Sequence, residues 1–148
     1  MPVLRFDHVG AVVADLDEAV RFLLALGFSE EGRAEVGGRW VDDVIGLAGV
    51  RSEIVMLRAP GDGPAIELSR FREGGSTAAP EPLPANAHGF RHIAYVVTDV
   101  DEVVERARAA GYGLVRDVVD YEGVYRLGYL RGPEGLLVEV AQELQPGG

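Results

Sequence analysis

A chain of 148 residues that is 47% hydrophobic makes one ordinary domain or two half-sized modules, and no apolar run in it nears the ~18–20 residues that span a bilayer. A net charge of −10 argues against a general binder of phosphate backbones and for the most part serves solubility. With no cysteine, and arginine at all 14 basic positions, disulfides, thiolate ligands, a cysteine nucleophile and lysine Schiff-base chemistry are excluded.

In chain order, MPVLRFDHV lacks a basic start followed by an apolar core and does not read as a signal peptide. The expectation is a cytoplasmic protein without a membrane or nucleic-acid partner. FDHVGAVV is short, apolar and rich in β-branched residues, which predicts a strand. Asp15, with Glu18 three residues on, is placed to cap a helix whose apolar stripe is Leu16, Ala19, Val20 and Leu23, and Gly27 is its stop. Strands are predicted near 29–36, 51–58 and 64–70. GGRWVDDVIGLAG (37–49) reads as an inserted loop or short helix, placed near the mouth of any pocket. Residues 72–89, rich in Pro, Gly and Ala, read as a linker.

The pattern then starts again. Sliding the chain by 84 residues pairs Phe6, His8, Val12, Val13, Asp15, Asp17, Glu18, Val20, Ala25 and Gly27 with identical residues at 90, 92, 96, 97, 99, 101, 102, 104, 109 and 111. FRHIAYVV is the second first strand, Asp99 and Glu102 the second capping pair, and Val100, Val103, Val104 and Ala107 the second stripe. Strands are predicted near 113–119, 124–131 and 136–142. LRAPGDGPAIEL (57–68) and LRGPEGLLVEV (130–140) match as closing hairpins, each ending in a strand with a central glutamate. The fold class is therefore α+β: two βαβββ modules in tandem, 5–71 and 90–144, joined by the linker in one domain of 1–148.

His8 and His92 stand at the start of each module's first strand, and Glu67 and Glu139 inside each last strand. Glu139 lies in LLVEVA, on the same face as Leu137 and Ala141, where an ionised carboxylate is costly unless something positive holds it. Neutral imidazole and carboxylate are the ligand types divalent metals accept when no thiolate is present. Two His and two Glu leave room for two water or substrate oxygens around one divalent ion, with Ni, Zn, Co, Mn and Fe all compatible. The plainer readings are a packed histidine at a strand start, a glutamate facing solvent, or relics of a duplication. Four ligand-type residues in two equivalent pairs favour the metal. His88, beside Gly89 and without a partner in the first module, reads as solvated.

Paired βαβββ modules with His8, Glu67, His92 and Glu139 in these places resemble the vicinal oxygen chelate superfamily, the group of glyoxalase I, methylmalonyl-CoA epimerase, extradiol dioxygenases and bleomycin-binding proteins. The resemblance spans about residues 5 to 144 and implies that the two modules form a cupped mixed β-sheet. It implies that all four residues ligate the metal, as in the glyoxalase I set; epimerases usually show Gln at the position of Glu67, and extradiol dioxygenases lack a ligand there. The reaction so implied is isomerase or lyase chemistry through an enolate or enediolate of a small carbonyl substrate, with Glu139, or otherwise Glu67, as base. FLLALGF departs from the tyrosine-rich helix ending of glyoxalase I proper. DYEGVYRLGYLRGPEGLLVEV is instead a familiar ending among glyoxalase-like proteins. Tyr121, Tyr125 and Arg126 from that ending, and Trp40 with Asp42 and Asp43, are the candidate substrate contacts. Alternatives are a binding protein for a drug or metabolite, of the bleomycin-resistance type, and an Fe(II) or Mn(II) extradiol-type dioxygenase. A homodimer is implied by the resemblance, and the four ligands meet either within one chain or across two.

Overall fold

Both predicted helices begin and end on the signals the sequence carries. In the computed structural model, which describes residues 2–73 and 82–144, helix α1 spans Leu16–Ala25 and helix α2 of the insertion Arg39–Ile45, while helix α3 spans Val100–Ala109. The Asp15 carboxylate accepts from the Glu18 amide at 3.1 Å, and Asp99 accepts from Glu102 at 3.2 Å. Each cap of this kind stabilises a helix by about 1 kcal/mol. At the other end Gly27 and Gly111 sit at φ +106 and +95. That turn lets the Phe28 and Gly27 amides reach the Leu23 and Leu24 carbonyls, and the Tyr112 and Gly111 amides those of Ala107 and Arg108, the double closure of a Schellman motif at each helix end.

The chain divides into two compact units, Met1–Ala79 and Pro80–Gly148. In the first, strands β1 (His8–Val12), β2 (Ser29–Gly37), β3 (Arg51–Arg58) and β4 (Ala65–Glu73) form a sheet in the order β1-β4-β3-β2, with β1 parallel to β4 and the other pairs antiparallel. In the second, β5 (Ile93–Val97), β6 (Gly113–Leu114), β7 (Val119–Tyr121), β8 (Tyr125–Arg131) and β9 (Leu137–Glu143) repeat it as β5-β9-β8-β6, with β7 also on β8. The structure is thus α+β with two mixed sheets, each strand set following the βαβββ order of its module.

One face of each sheet belongs to its helix. Val55, Leu57, Ile66 and Leu68 share a face and are all but fully buried, as are Leu130, Val138 and Val140 in the second sheet. Side chains confirm which face this is. Arg33, level with Val55, reaches Asp17 on α1, and Gln142 accepts from the first amide of α3. Strict alternation then puts His8, Gly10, Met56, Glu67 and Ser69 together on the opposite, open face of the first sheet. Ala94, Tyr129, Glu139 and Ala141 take the open face of the second.

Two expectations change. The strand near 113–119 is two pieces, β6 and β7: the Val115 amide still donates to the Tyr129 carbonyl, and residues 116–118 then leave the ladder and pass over Gly128, where an added Cβ would stand 3.0 Å from Leu114 and 3.5 Å from both the Asp117 carbonyl and Val118. The strand expected near 64–70 is longer, β4 running through Glu73; residues 74–81 of the expected linker lie outside the described residues. Its final part is held rather than loose: Arg91 donates to the carbonyls of Leu83 and Pro84, and Arg131 to that of Leu83. The insertion, expected as a loop or short helix, contains α2, closed behind by Asp42, whose carboxylate accepts from the Gly49 and Val50 amides.

Candidate functional site

The parallel pairing of first and last strand sets the geometry in both modules. Glu67 lies level with Gly10, and Glu139 level with Ala94, so the histidine two residues earlier on the neighbouring strand leans over the same face. His8 Nε2 stands 3.5 Å from Glu67 Oε2, and His92 Nε2 stands 3.3 Å from Glu139 Oε2. The four side chains are partly open, 40% and 37% exposed for the histidines against 28% and 21% for the glutamates. That leaves them reachable by a small ligand while shielding the acids from bulk water. At position 10 the missing side chain leaves open space: an added Cβ would meet nothing within 4 Å.

The other imidazole nitrogen is held differently in each module. His8 Nδ1 lies 2.8 Å from the carboxylate of Asp7, itself paired with Arg5. The His8 hydrogen bond, and after it Arg5, hold the Asp7 acid below its ordinary value. His92 Nδ1 instead lies 3.3 Å from the Tyr129 hydroxyl, with the two rings tilted by 37° at 5.0 Å between centroids. Burial, and then the charge of Glu139, push the Tyr129 phenol above its usual value. Glu67 also accepts from the Ser69 hydroxyl at 3.3 Å. Asp7, Ser69 and Tyr129 were not singled out by sequence reasoning. Ser69, two residues beyond Glu67 in one strand, and Tyr129, brought opposite Glu139 by the short 132–136 turn, were within reach of register arguments.

The structure therefore brings His8 to Glu67 and His92 to Glu139, one pair per module. Among the described residues no group of three or more His, Cys, Asp or Glu side chains is gathered to hold a metal. The donor chemistry of each pair, one imidazole nitrogen and one carboxylate oxygen, fits half of a divalent-ion site. Of the candidate substrate contacts, Tyr121 is level with Tyr125 and Tyr125 with Glu143, which places both tyrosines on the open face of the second sheet. Trp40 is exposed on α2. Asp43 stands 3.9 Å from Arg39, and Asp42 serves the loop. Arg126 lies on the helix face, where Asp101 of α3 binds it at 2.9 and 3.1 Å and Asp120 of β7 at 3.2 Å. Those hydrogen bonds, Asp101 first, raise its pKa further. His88 is exposed.

Residues 7–128 match the model of the Glyoxalase/Bleomycin resistance protein/Dioxygenase superfamily. Among solved structures, a glyoxalase family protein from Bacillus cereus is 42% identical over 98% of this chain and 97% of its own, with a TM-score of 0.92. The trypanothione-dependent glyoxalase I of Leishmania major is 22% identical over 95% of this chain and 88% of its own, at a TM-score of 0.65. TioX from Micromonospora sp. is 24% identical over 95% and 99%, at 0.62. These two share the fold. No curated protein matches the chain.

Proposed function

This chain belongs to the Glyoxalase/Bleomycin resistance protein/Dioxygenase superfamily, and from that premise we propose that it is a divalent-metal-dependent, glyoxalase-like isomerase or lyase acting on a small carbonyl compound. The observation that supports this most is the repeated pair, a histidine Nε2 set against a glutamate oxygen within 3.5 Å on the open face of both sheets. His8, Glu67, His92 and Glu139 are the residues that would hold the ion, whether within one chain or across a homodimer. Bound there, it would supply Lewis-acid polarisation of the substrate carbonyl.

The chain's own residues supply the proton chemistry. Glu139 is the base that removes the proton from the carbon beside the carbonyl and returns it. It is the freer of the two acids: Glu67 is tied to Ser69, whereas the residue two beyond Glu139 is Ala141. Tyr121 and Tyr125, on the same face, and Trp40 on α2 are the candidates for contact with the organic part of the substrate.

The same tyrosines favour a second reading, a protein that binds a drug or metabolite without turning it over. Metal content by inductively coupled plasma mass spectrometry separates the two. Protein purified without chelator, beside Glu67→Ala and His92→Ala, should carry about one divalent ion per chain, lost in both variants. No metal after each ion has been offered would sink the enzyme reading and leave the binding one. Iron together with O2 uptake on a catechol would point to dioxygenase chemistry. No helix among the described residues is long and apolar enough to cross a membrane; a cytoplasmic homodimer completes the proposal, and light scattering tests its mass.

A further inference from the structure

We propose that the Arg131 guanidinium is a carboxylate clamp beside the His92–Glu139 pair, and that the carbonyl compound taken up there carries a carboxylate of its own. The anion site stands on the arginines alone; naming the substrate class rests on the proposed function.

Arg58 and Arg131 are the same residue of the repeat, the arginine of the Leu-Arg that opens each closing hairpin. Both are tethered alike. Arg58 Nη1 donates to the Gly63 carbonyl of its turn, and Arg131 Nη1 to the Gly135 carbonyl at 3.3 Å and to that of Leu83 at 3.1 Å. A guanidinium held by Nη1 presents its other edge, Nε with Nη2, whose parallel N–H groups match the two oxygens of a carboxylate. Arg58 sets that edge on Glu31, one bond to each oxygen, at 2.5 and 3.4 Å. Arg21 uses the same edge on Glu18. Arg131 has no such partner among the described residues, and both its hydrogen bonds leave from Nη1. The shift of 84 residues puts Val115 where the first module has Glu31. The second module thus has the arginine and its tether without the acid.

Charge and position both favour an anion from outside. Arg131 is half-buried, and a cation drawn partly out of water without a counter-charge is costly. Arg91, half-buried too, donates to the same Leu83 carbonyl at 3.1 Å, and its other bonds go to the carbonyls of Pro84 and Phe90. Two cations converge on one oxygen, with no ion pair for either among the described residues. Arg131 is also two residues from Tyr129, hence on the same open face and about 7 Å along the strand from the residue level with Glu139. Arg91 immediately precedes His92. A small molecule whose carbonyl lies at the His92–Glu139 pair can therefore bring a carboxylate a few carbons away to Arg131. An oxo acid answers the clamp; a neutral aldehyde does not.

Arginine Nε–H signals in 1H–15N spectra of the full-length protein read this edge directly, with Arg131→Gln for assignment. Chelator treatment keeps metal ions from taking the probe. Propanoate should shift the Arg131 signal in a saturable way, whereas propanamide, its neutral counterpart, and potassium chloride at equal ionic strength should not. Arg131→Lys keeps the charge but loses the fork, and should weaken propanoate about tenfold or more, read from the backbone amides of 130–132 in the same spectra. An Arg131 signal that ignores propanoate or moves equally with propanamide or chloride, or a lysine variant that binds as well as wild type, would overturn the clamp. A response to inorganic phosphate but not to propanoate would overturn the choice of a carboxylate. The second arm uses Zn2+-loaded protein and calorimetry. There Arg131→Gln should weaken 2-oxobutanoate about tenfold while zinc affinity stays unchanged. An oxo-acid affinity that survives Arg131→Gln would overturn the substrate class. If wild type binds no zinc, the enzyme reading fails and the substrate class with it, while the propanoate titration still decides the clamp.

Discussion

At 8 and at 92 the chain sets the same imidazole over the same kind of glutamate, but what surrounds the two pairs is different. Asp7 is answered by Arg91, Ser69 by Ala141, and Met56, which lies opposite Glu67, by Tyr129, which lies opposite Glu139. The first module carries a continuous nine-residue β2 and the inserted α2; the second breaks the equivalent strand into β6 and β7. The shared parts are those the backbone demands: caps, stops, helix stripes and the level pairing of first and last strand. The divergent parts are side chains one contact away from the ligand pairs. A repeat can therefore keep its frame intact while giving its two histidine–glutamate pairs different neighbours.

The largest effects should fall where the modules are most alike. Leu57 on β3 and Leu130 on β8 are both 0% exposed under their helices. Truncating either to alanine should cost about 2–5 kcal/mol, the range for a buried leucine. Urea melts followed by circular dichroism check this. A loss under about 1 kcal/mol in one module only would show that the two cores are not equivalent. Next come the caps. Asp15→Ala and Asp99→Ala should each cost about 1 kcal/mol, and equally, because both carboxylates hold the amide three residues on at closely similar distances. Unequal melting shifts would mean that one helix end is held by something other than its cap.

Much of this frame was legible beforehand, because each signal is local: Asp-x-x-Glu, the 3.6-residue stripe and the glycine stop all act within one turn of helix. The pairs His8–Glu67 and His92–Glu139 were legible one step further out, through the repeat. What stayed hidden depends on partners distant in sequence. The break at 116–118 passes over Gly128, a residue of another strand. Tyr129 meets His92 only through the register of β8 on β9. Arg126 sits an odd number of residues from Tyr129, which puts it on the opposite face of the strand, and the sequence stretch that holds both gives equal prominence to each. Asp7 precedes its strand, where alternation gives no direction at all.

The smallest effect is also the sharpest probe of divergence. Asp17 and Asp101 are the same residue of the repeat, in the first turn of α1 and α3. Each meets an arginine from the sheet. Arg33 makes one contact to Asp17 at 3.6 Å, while Arg126 makes two to Asp101 at 2.9 and 3.1 Å. The Arg126 hydrogen bonds hold the Asp101 acid below its ordinary 3.8 in the folded protein. A carboxyl group whose folded value is depressed contributes stability that is present above its unfolded value and is lost as pH falls through the folded one. Asp101 should thus add to stability at pH 6 and lose that contribution below about pH 4. The group is exposed, so the contribution is small and salt should screen it. Urea melts at pH 6 and pH 3 in low salt provide the measurement. Asp101→Asn should flatten the acid limb of the profile. An unchanged acid limb would mean that Arg126 is free in solution, and Arg126 would then return to the candidates for binding a ligand.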